Sequence, residues 1–444
     1  MLSRRLFSTS STRFAKTSVS KLSNGITVVT KPSTGKSAIG VYLNSGSRAE
    51  NPYNSGISTL TGNLVTSSGI SRDALSSGVK LYSSNAKEVT GLATATYEQG
   101  NSSAALNAIK NVIGSLDSIV SDSVHLSAQK EKAIAVADAF ENSPKDMVIE
   151  HMIATAFQGT SLALPKYGKT DSLEILESED IKTYLSKNLV ASNLAVVGVG
   201  SELDHEALVK FASELNVASG VRAAYEPALF LGSDVRLRDD TLPQAHVAIS
   251  VKTPGAQDQA SFYNGLVAAQ INGTYLGQGS PFSSFVGSQL AQFLEENHLI
   301  DSFEHFQLAF SDVGLWGAYL ASSNIGCVDE TVHFALKNWN KLSTGTVKQI
   351  ELEKAKAELK LNLLKAKASP VQAAEAAASE IFAKGYAASE DEIIQSIDAV
   401  TDSSIQTWAQ KNLWDQDIAM AGNGQIEALF DYGRVRNDMA ALRW

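Results

Sequence analysis

The sequence predicts an α/β fold of two homologous halves, each a mixed β-sheet covered by helices. Three observations predict it. The length of 444 residues suits two domains of roughly 200 residues each. A set of residue strings recurs about 224 positions further along the chain. Within each copy, alternating apolar runs give way to stretches of helical period. The composition, 44% hydrophobic and 19% charged, provides for a full-sized core in each half.

The repeat rests on three anchors in the same order. Ile181-Lys-Thr-Tyr-Leu-Ser-Lys-Asn-Leu189 matches Ile405-Gln-Thr-Trp-Ala-Gln-Lys-Asn-Leu413, and each is followed by a short apolar strand ending in Gly-x-Gly, at Gly198/Gly200 and Gly422/Gly424. Ser143-Pro144 matches Ser369-Pro370; each reads as a helix start, with Pro in the first turn and Asp146 or Gln372 three residues after the Ser. Ala38–Leu43 matches His246–Val251 as an alternating strand that leads through a Gly/Pro turn into a helix. Leu352, Ala355, Leu359, Leu363 and Ala366 recur at steps of three and four, which predicts a helix with its apolar stripe in the core. The irregular stretch 216–234 reads as a linker, so the expected division is 17–215, 216–234 and 235–444.

Charge is unevenly spread. No acidic residue precedes Glu50, and residues 1–16 carry Arg4, Arg5, Arg13 and Lys16 among six Ser and Thr residues. That composition predicts a mitochondrial transit peptide. Without those four cations the formal net charge of −10 becomes −14. So acidic a body argues against a broad nucleic-acid-binding face. No apolar run reaches the roughly 20 residues of a membrane-spanning helix, so any membrane association is expected to be peripheral. The single Cys327 leaves no internal disulfide framework and reads as a small buried hydrophobe.

Several fragments imitate active-site motifs. Gly35-Lys36-Ser37 and Gly168-Lys169-Thr170 lack the leading Gly of a phosphate loop, having Thr30 and Ala163 there, and read as turns or helix starts. Gly198-Val-Gly200 has Leu203 where a dinucleotide fingerprint needs its third Gly. No Gly-x-Ser-x-Gly elbow occurs. No two of the seven histidines stand four residues apart. In Asp301-Ser-Phe-Glu304-His305 the flanking Phe303, Phe306 and Phe310 predict a strand, along which four residues span about 13 Å. Asp301 and His305 then cannot share an ion, and both are expected on a solvated strand edge.

Three strings carry a family resemblance: Gly46-Ser-Arg-Ala-Glu-Asn-Pro-Tyr-Asn-Ser-Gly56, Val235–Pro243, and Asp312-Val-Gly-Leu-Trp-Gly317. They resemble the pitrilysin-type zinc peptidases, and the likeness extends over essentially the whole chain after the basic segment. It implies a pitrilysin-type α/β sandwich in both halves. In catalytic members a helix carries His-x-x-Glu-His, whose two imidazoles on one face bind Zn²⁺ while the Glu acts as general base. The matching positions here are Thr59, Gly62 and Asn63, so the resemblance implies descent without the reaction, with no metal and no cofactor. Asp138 and Glu141 fall roughly where the family's distant Glu ligand would stand, and are expected on a solvated helix face.

The tail Leu413–Tyr432 and the closing Arg443-Trp444 resemble the noncatalytic branch of that family that is built into ubiquinol-cytochrome c reductase. The branch implies a matrix-facing scaffold, peripheral to the inner membrane. Its implied partners are a second core protein and the cytochrome b, cytochrome c1 and Rieske subunits, which hold the redox groups. Leu81–Ala86 matches the edge strand on which family members lay an extended peptide; here the expected role is an edge covered by a neighbouring subunit. An alternative is a noncatalytic presequence-binding subunit of a processing peptidase. The glycine-rich loop of those relatives is reduced to scattered glycines between Gly273 and Gly287.

Overall fold

The computed structural model describes residues 17–33, 37–96, 102–200, 203–221, 224–277, 289–366 and 369–441. The candidate targeting segment 1–16 lies outside them, as do Gly35 and Lys36, most of the Gly273–Gly287 stretch, and Arg443-Trp444.

The first half contains β1 (Ser18–Lys21), β2 (Thr27–Lys31), β3 (Ser37–Leu43), α1 (Ile57–Thr66), α2 (Gly69–Ser76), β4 (Lys80–Asn85) and β5 (Thr90–Thr96). It continues through α3 (Ser102–Gly114), α4 (Leu116–Ser121), α5 (Ser123–Glu141), α6 (Pro144–Ala156), α7 (Thr170–Ile175), α8 (Ser178–Asn188), β6 (Leu194–Val199) and α9 (His205–Glu214). The second half contains β7 (Ser233–Arg238), β8 (Ala245–Pro254), α10 (Gln259–Asn272), β9 (Thr274–Tyr275), α11 (Gln289–Glu296), β10 (Ser302–Ala309) and β11 (Val313–Ser322). It ends with α12 (Val328–Ser343), α13 (Gln349–Ala366), α14 (Pro370–Lys384), α15 (Glu390–Asp398), α16 (Asp402–Asn412), β12 (Ile418–Gly424) and α17 (Tyr432–Ala441).

The strands form two sheets, ordered β1-β2-β6-β3-β5-β4 and β7-β12-β8-β11-β10-β9. Five strands of each are equivalent in order and direction. β2 runs parallel to β6 as β7 does to β12, while β3 is antiparallel to β6 as β8 is to β12. Thus the repeated helix-strand string is α8 followed by β6 in one half and α16 followed by β12 in the other. The two halves are α/β sandwiches of one design.

The Ser-Pro helices do something the sequence does not announce. α6 turns Val148, Met152, Ile153 and Ala156 not onto its own sheet but onto Ala248, Leu315, Ala419 and Ala421 of the second. α14 reciprocally lays Ala373, Ala374, Ala377, Ala378 and Ile381 on Val29, Tyr42, Ala93 and Val197 of the first. Both stripes follow the i, i+4 period of an amphipathic face. Alanines on α14 let the helix sit close to the sheet, and Gly40 and Gly91 leave room for the Tyr42 ring, which an added Cβ at either would strike. One face of each sheet is therefore closed by the other half. The opposite faces carry their own helices, with α1, α3 and α9 over the first and α10, α12 and α16 over the second. No described helix is long and apolar enough to cross a membrane.

Strand β10 forms as its alternation predicts, but His305 is not on a solvated edge. Phe303 and His305 share the buried face, and His305 is only 7% exposed, packed among Phe303, Trp316 and Trp339. Its Nε2 accepts from Trp339 Nε1 at 3.1 Å, and its Nδ1 lies 3.1 Å from the Gly273 carbonyl. Burial lowers its pKa to about 4, with the Gly273 carbonyl acting against it, so the ring is a neutral core group. Asp301 instead accepts from Gln244 and from the backbone and hydroxyl of Ser323.

Candidate functional site

The site begins with two backbone segments that lie side by side. Ser47 N–H bonds to the Ala86 carbonyl at 3.3 Å and Arg48 N–H to the Lys87 carbonyl at 2.8 Å. Gly46 is required by this approach, since a Cβ there would fall 2.0 Å from the Ala86 oxygen. The pairing sets Arg48 beside Glu88, at 2.6 Å, and aims the guanidinium at the second half. There both nitrogens of its fork meet Asp312, and Nη2 also donates to the Glu226 carbonyl at 3.1 Å. Glu88 accepts in addition from Ser311 N–H and hydroxyl, and the Tyr225 ring lies 4.9 Å from the guanidinium carbon. Burial works to raise the Asp312 pKa, but the Arg48 hydrogen bond and the Ala228 N–H outweigh it and hold the carboxyl low. Two of the strings that carry the resemblance, one around Arg48 and one beginning at Asp312, are thus brought into contact.

Beyond Arg48 the chain turns into α1. Gly56, at φ 94°, precedes the helix, and the carboxylate of Glu50 accepts from Gly56 N–H at 2.7 Å and Ser58 N–H at 2.9 Å, satisfying donors at the helix start. Glu50 is 5% exposed. Burial raises its pKa to about 7 against the pull of those hydrogen bonds and of Lys87.

Thr59, Gly62 and Asn63 lie on this helix next to β4, one of the two edge strands of the first sheet. The Thr59 hydroxyl accepts from Asn85 Nδ2 at 2.6 Å, and the same Asn85 amide reaches the Lys166 carbonyl at 3.0 Å. Gly62 faces Ser83 of β4, and the Asn63 carbonyl accepts from Ser67 N–H in the last turn of α1. Asp138 and Glu141 stand exposed on α5, where Asp138 accepts from the Thr170 hydroxyl. The residues present do not fit a zinc ion: a hydroxyl already engaged by an amide, a position without a side chain, and an Asn offer neither imidazole nor general base. Among the described residues no group of three His, Cys, Asp or Glu side chains is gathered closely enough to hold a metal.

Between the halves lies a cavity of about 390 Å³, lined by Lys87, Glu88 and Lys166 from one side and by Phe262, Phe310 and Lys384 from the other. Lys384 sits 4.8 Å over the Phe262 ring; burial lowers its pKa, and Glu380 opposes the shift. Lys87 pairs with Glu150 on α6, so the helix that crosses to the second sheet also fixes one wall. Sequence reasoning missed this wall, whose Lys87 and Glu150 lie far apart within the first half, and the Arg48 cluster, whose partners come from opposite halves; the one available signal was that charged residues interrupt both resemblance strings.

Comparison with known proteins places this architecture. The family model described as Insulinase (Peptidase family M16) matches residues 26–170, and that described as Peptidase M16 inactive domain matches 176–359. Cytochrome b-c1 complex subunit 1 of Saccharomyces cerevisiae is 38% identical over 97% of this chain and 94% of that protein. The beta subunit of the mitochondrial-processing peptidase of Lentinula edodes is more distant, 31% identical over 99% and 96%. A chain of complex III2 from Candida albicans superposes with a TM-score of 0.88 at 35% identity, covering 95% of this chain and 99% of that one. The chain belongs to peptidase family M16, on the branch that holds the fungal cytochrome b-c1 complex subunit 1.

Proposed function

We propose that the protein is a noncatalytic core subunit of mitochondrial respiratory complex III, a scaffold lying on the matrix side of the inner membrane without spanning it. The observation that carries this reading is the full-length likeness to subunit 1 of that complex, joined to an α1 face that bears Thr59, Gly62 and Asn63. These three stand where the peptidases of the family carry their two metal-binding His and their Glu, and they leave the fold without the means to hydrolyse a peptide. The partners are a second core protein and the cytochrome b, cytochrome c1 and Rieske subunits; the chain itself holds no cofactor. Its homologous halves, 17–215 and 235–444, are joined at 216–234, and residues 1–16 direct it to mitochondria. The test is to purify the tagged full chain from mitochondria in mild detergent. Haem spectra of cytochromes b and c1 should co-migrate with it, and a chain that sediments free of both would end the reading.

A second reading, a noncatalytic presequence-binding subunit of a processing peptidase, is favoured by one observation: the 390 Å³ cavity with lysines and glutamates on both walls. Capture of a presequence peptide by the purified chain, with no cytochrome recovered, would select it over the scaffold.

A further inference from the structure

The lysines that line the cavity between the halves are not alike. Lys87 pairs with Glu150 and donates to the Leu164 carbonyl. Lys384 is the last residue of α14, and Gly385, at φ 79°, turns the chain away behind it. Its Nζ lies 4.8 Å from the centre of the Phe262 ring and 5.8 Å from that of Tyr263, both on α10. Among the described residues this Nζ has neither a hydrogen-bond acceptor nor an ion-pair partner, and it does not fold back onto the free carbonyls at the end of its own helix.

An ammonium carries three donors, and burial takes from it the water that satisfied them. The ring faces attract the cation but return only part of that hydration. Glu380, one turn earlier on α14, favours the charged form, yet its carboxylate is turned to the Ala388 N–H at 3.1 Å. Across the cavity Lys87, Glu88 and Lys166 face Glu150, Arg48 and Glu375, so that wall offers no spare anion. Burial prevails over Glu380, and Nζ holds its proton less firmly than a free lysine does. The space beside it, about 390 Å³ and open to solvent on one side, is lined with apolar Ala256, Phe310, Phe382 and Ala383. A lysine desolvated in such a pocket is an activated nucleophile, and the pocket has room for a short acyl chain.

We propose that Lys384 is a covalent modification site, acylated on Nζ by thioesters of short carboxylic acids. The neutral amine attacks the thioester carbonyl, the N–C bond forms and the C–S bond breaks. The thiolate leaves with the proton that the nitrogen gives up, so the products are an amide and a free thiol with no change of oxidation state. The site shares its cavity with the presequence reading but rests on neither reading above, since the reaction needs no partner protein. The test uses the purified full chain and acetyl coenzyme A as probe, with the initial acetylation of every lysine followed by peptide mass spectrometry. Lys384 should react at least about fivefold faster than exposed lysines such as Lys169 and Lys187, although it is harder to reach. Phe262→Leu should return water to Nζ and bring its rate down towards theirs. A Lys384 no faster than the exposed lysines would overturn the proposal, and so would a Phe262→Leu protein that melts like the parent and keeps the parent's rate. Where that variant melts lower, the ratio of rates in the parent decides alone.

Discussion

Arg48 and Asp312, 264 residues apart, meet fork to fork, with Nη1 2.8 Å from Oδ1 and Nη2 2.8 Å from Oδ2. The bidentate geometry is the strong form of a charged hydrogen bond. The arginine side chain is 1% exposed, so its charge is balanced within the protein by the Asp312 and Glu88 carboxylates, with the carbonyl of Glu226 and the Tyr225 ring beside them. This one guanidinium ties a loop of the first half to a strand end of the second.

Replacing Arg48 by Met should therefore leave two carboxylates facing each other without a counter-charge. The expected cost is about 3 kcal/mol, at the low end for a broken buried pair because Asp312 is a third exposed. Arg48→Lys should recover only part of it, since an ammonium cannot fork. The urea midpoint at constant slope measures both, and equal midpoints for the parent protein and Arg48→Met would contradict the assignment.

The exchanged helices lead to a second expectation. Ala374 on α14 is fully buried against the first sheet. Ala374→Leu should overpack that interface at a cost of about 1–3 kcal/mol. Because each sheet is closed by the other half, calorimetry should show one transition moved down as a whole. A first-half peak that falls while a second-half peak stays in place would mean that the halves melt independently.

Much of this architecture was legible in the sequence, and the failures share a cause. Strings around Ile181 and Ile405 revealed the duplication, because an equivalent helix and strand need equivalent apolar residues. The helical period of 352–366 likewise foretold the buried stripe of α13 at Leu352, Ala355 and Leu359, but not its end, where Leu363 is only partly buried and Ala366 is exposed. What α6 and α14 cover could not be read, since an apolar stripe states that a face is buried and not against which sheet. Arg48 and Asp312 were visible as charged residues in two strings, but their contact spans most of the chain. His305 was misplaced by its polarity: its even spacing from Phe303 already put it on the buried face, whereas its partner Trp339 lies in a different element.

Two buried groups should give stability opposite dependences on pH. Glu50 has its folded pKa raised from 4.5 to about 7. The native state then binds a proton that the unfolded chain releases, so stability falls as pH rises from about 4.5 to 7. Glu50→Gln should remove that slope, measured as the difference in urea midpoint from the parent protein between pH 5 and 8. A difference that does not change with pH would show that Glu50 titrates normally.

For His305 the sign is reversed. Its folded pKa is lowered from 6.5 to about 4, so the unfolded chain takes up a proton that the native core refuses. Stability should be lost as pH falls from about 6.5 to 4. His305→Gln, which can still offer a donor to Gly273 and an acceptor to Trp339, should be less stable than the parent at neutral pH yet lose less on acidification. A parent and variant that lose stability in parallel would place the titrating group elsewhere.

The crossing of α14 also governs the order in which the molecule can be made. A nascent chain that has emerged only as far as residue 369 holds every strand of the first sheet but lacks the helix that covers Val29, Tyr42 and Val197. Such an intermediate exposes a greasy plane, a natural client for chaperones. Truncation before Pro370 would thus yield an aggregating fragment and not a surviving half, and the first domain to be synthesised is among the last to be finished.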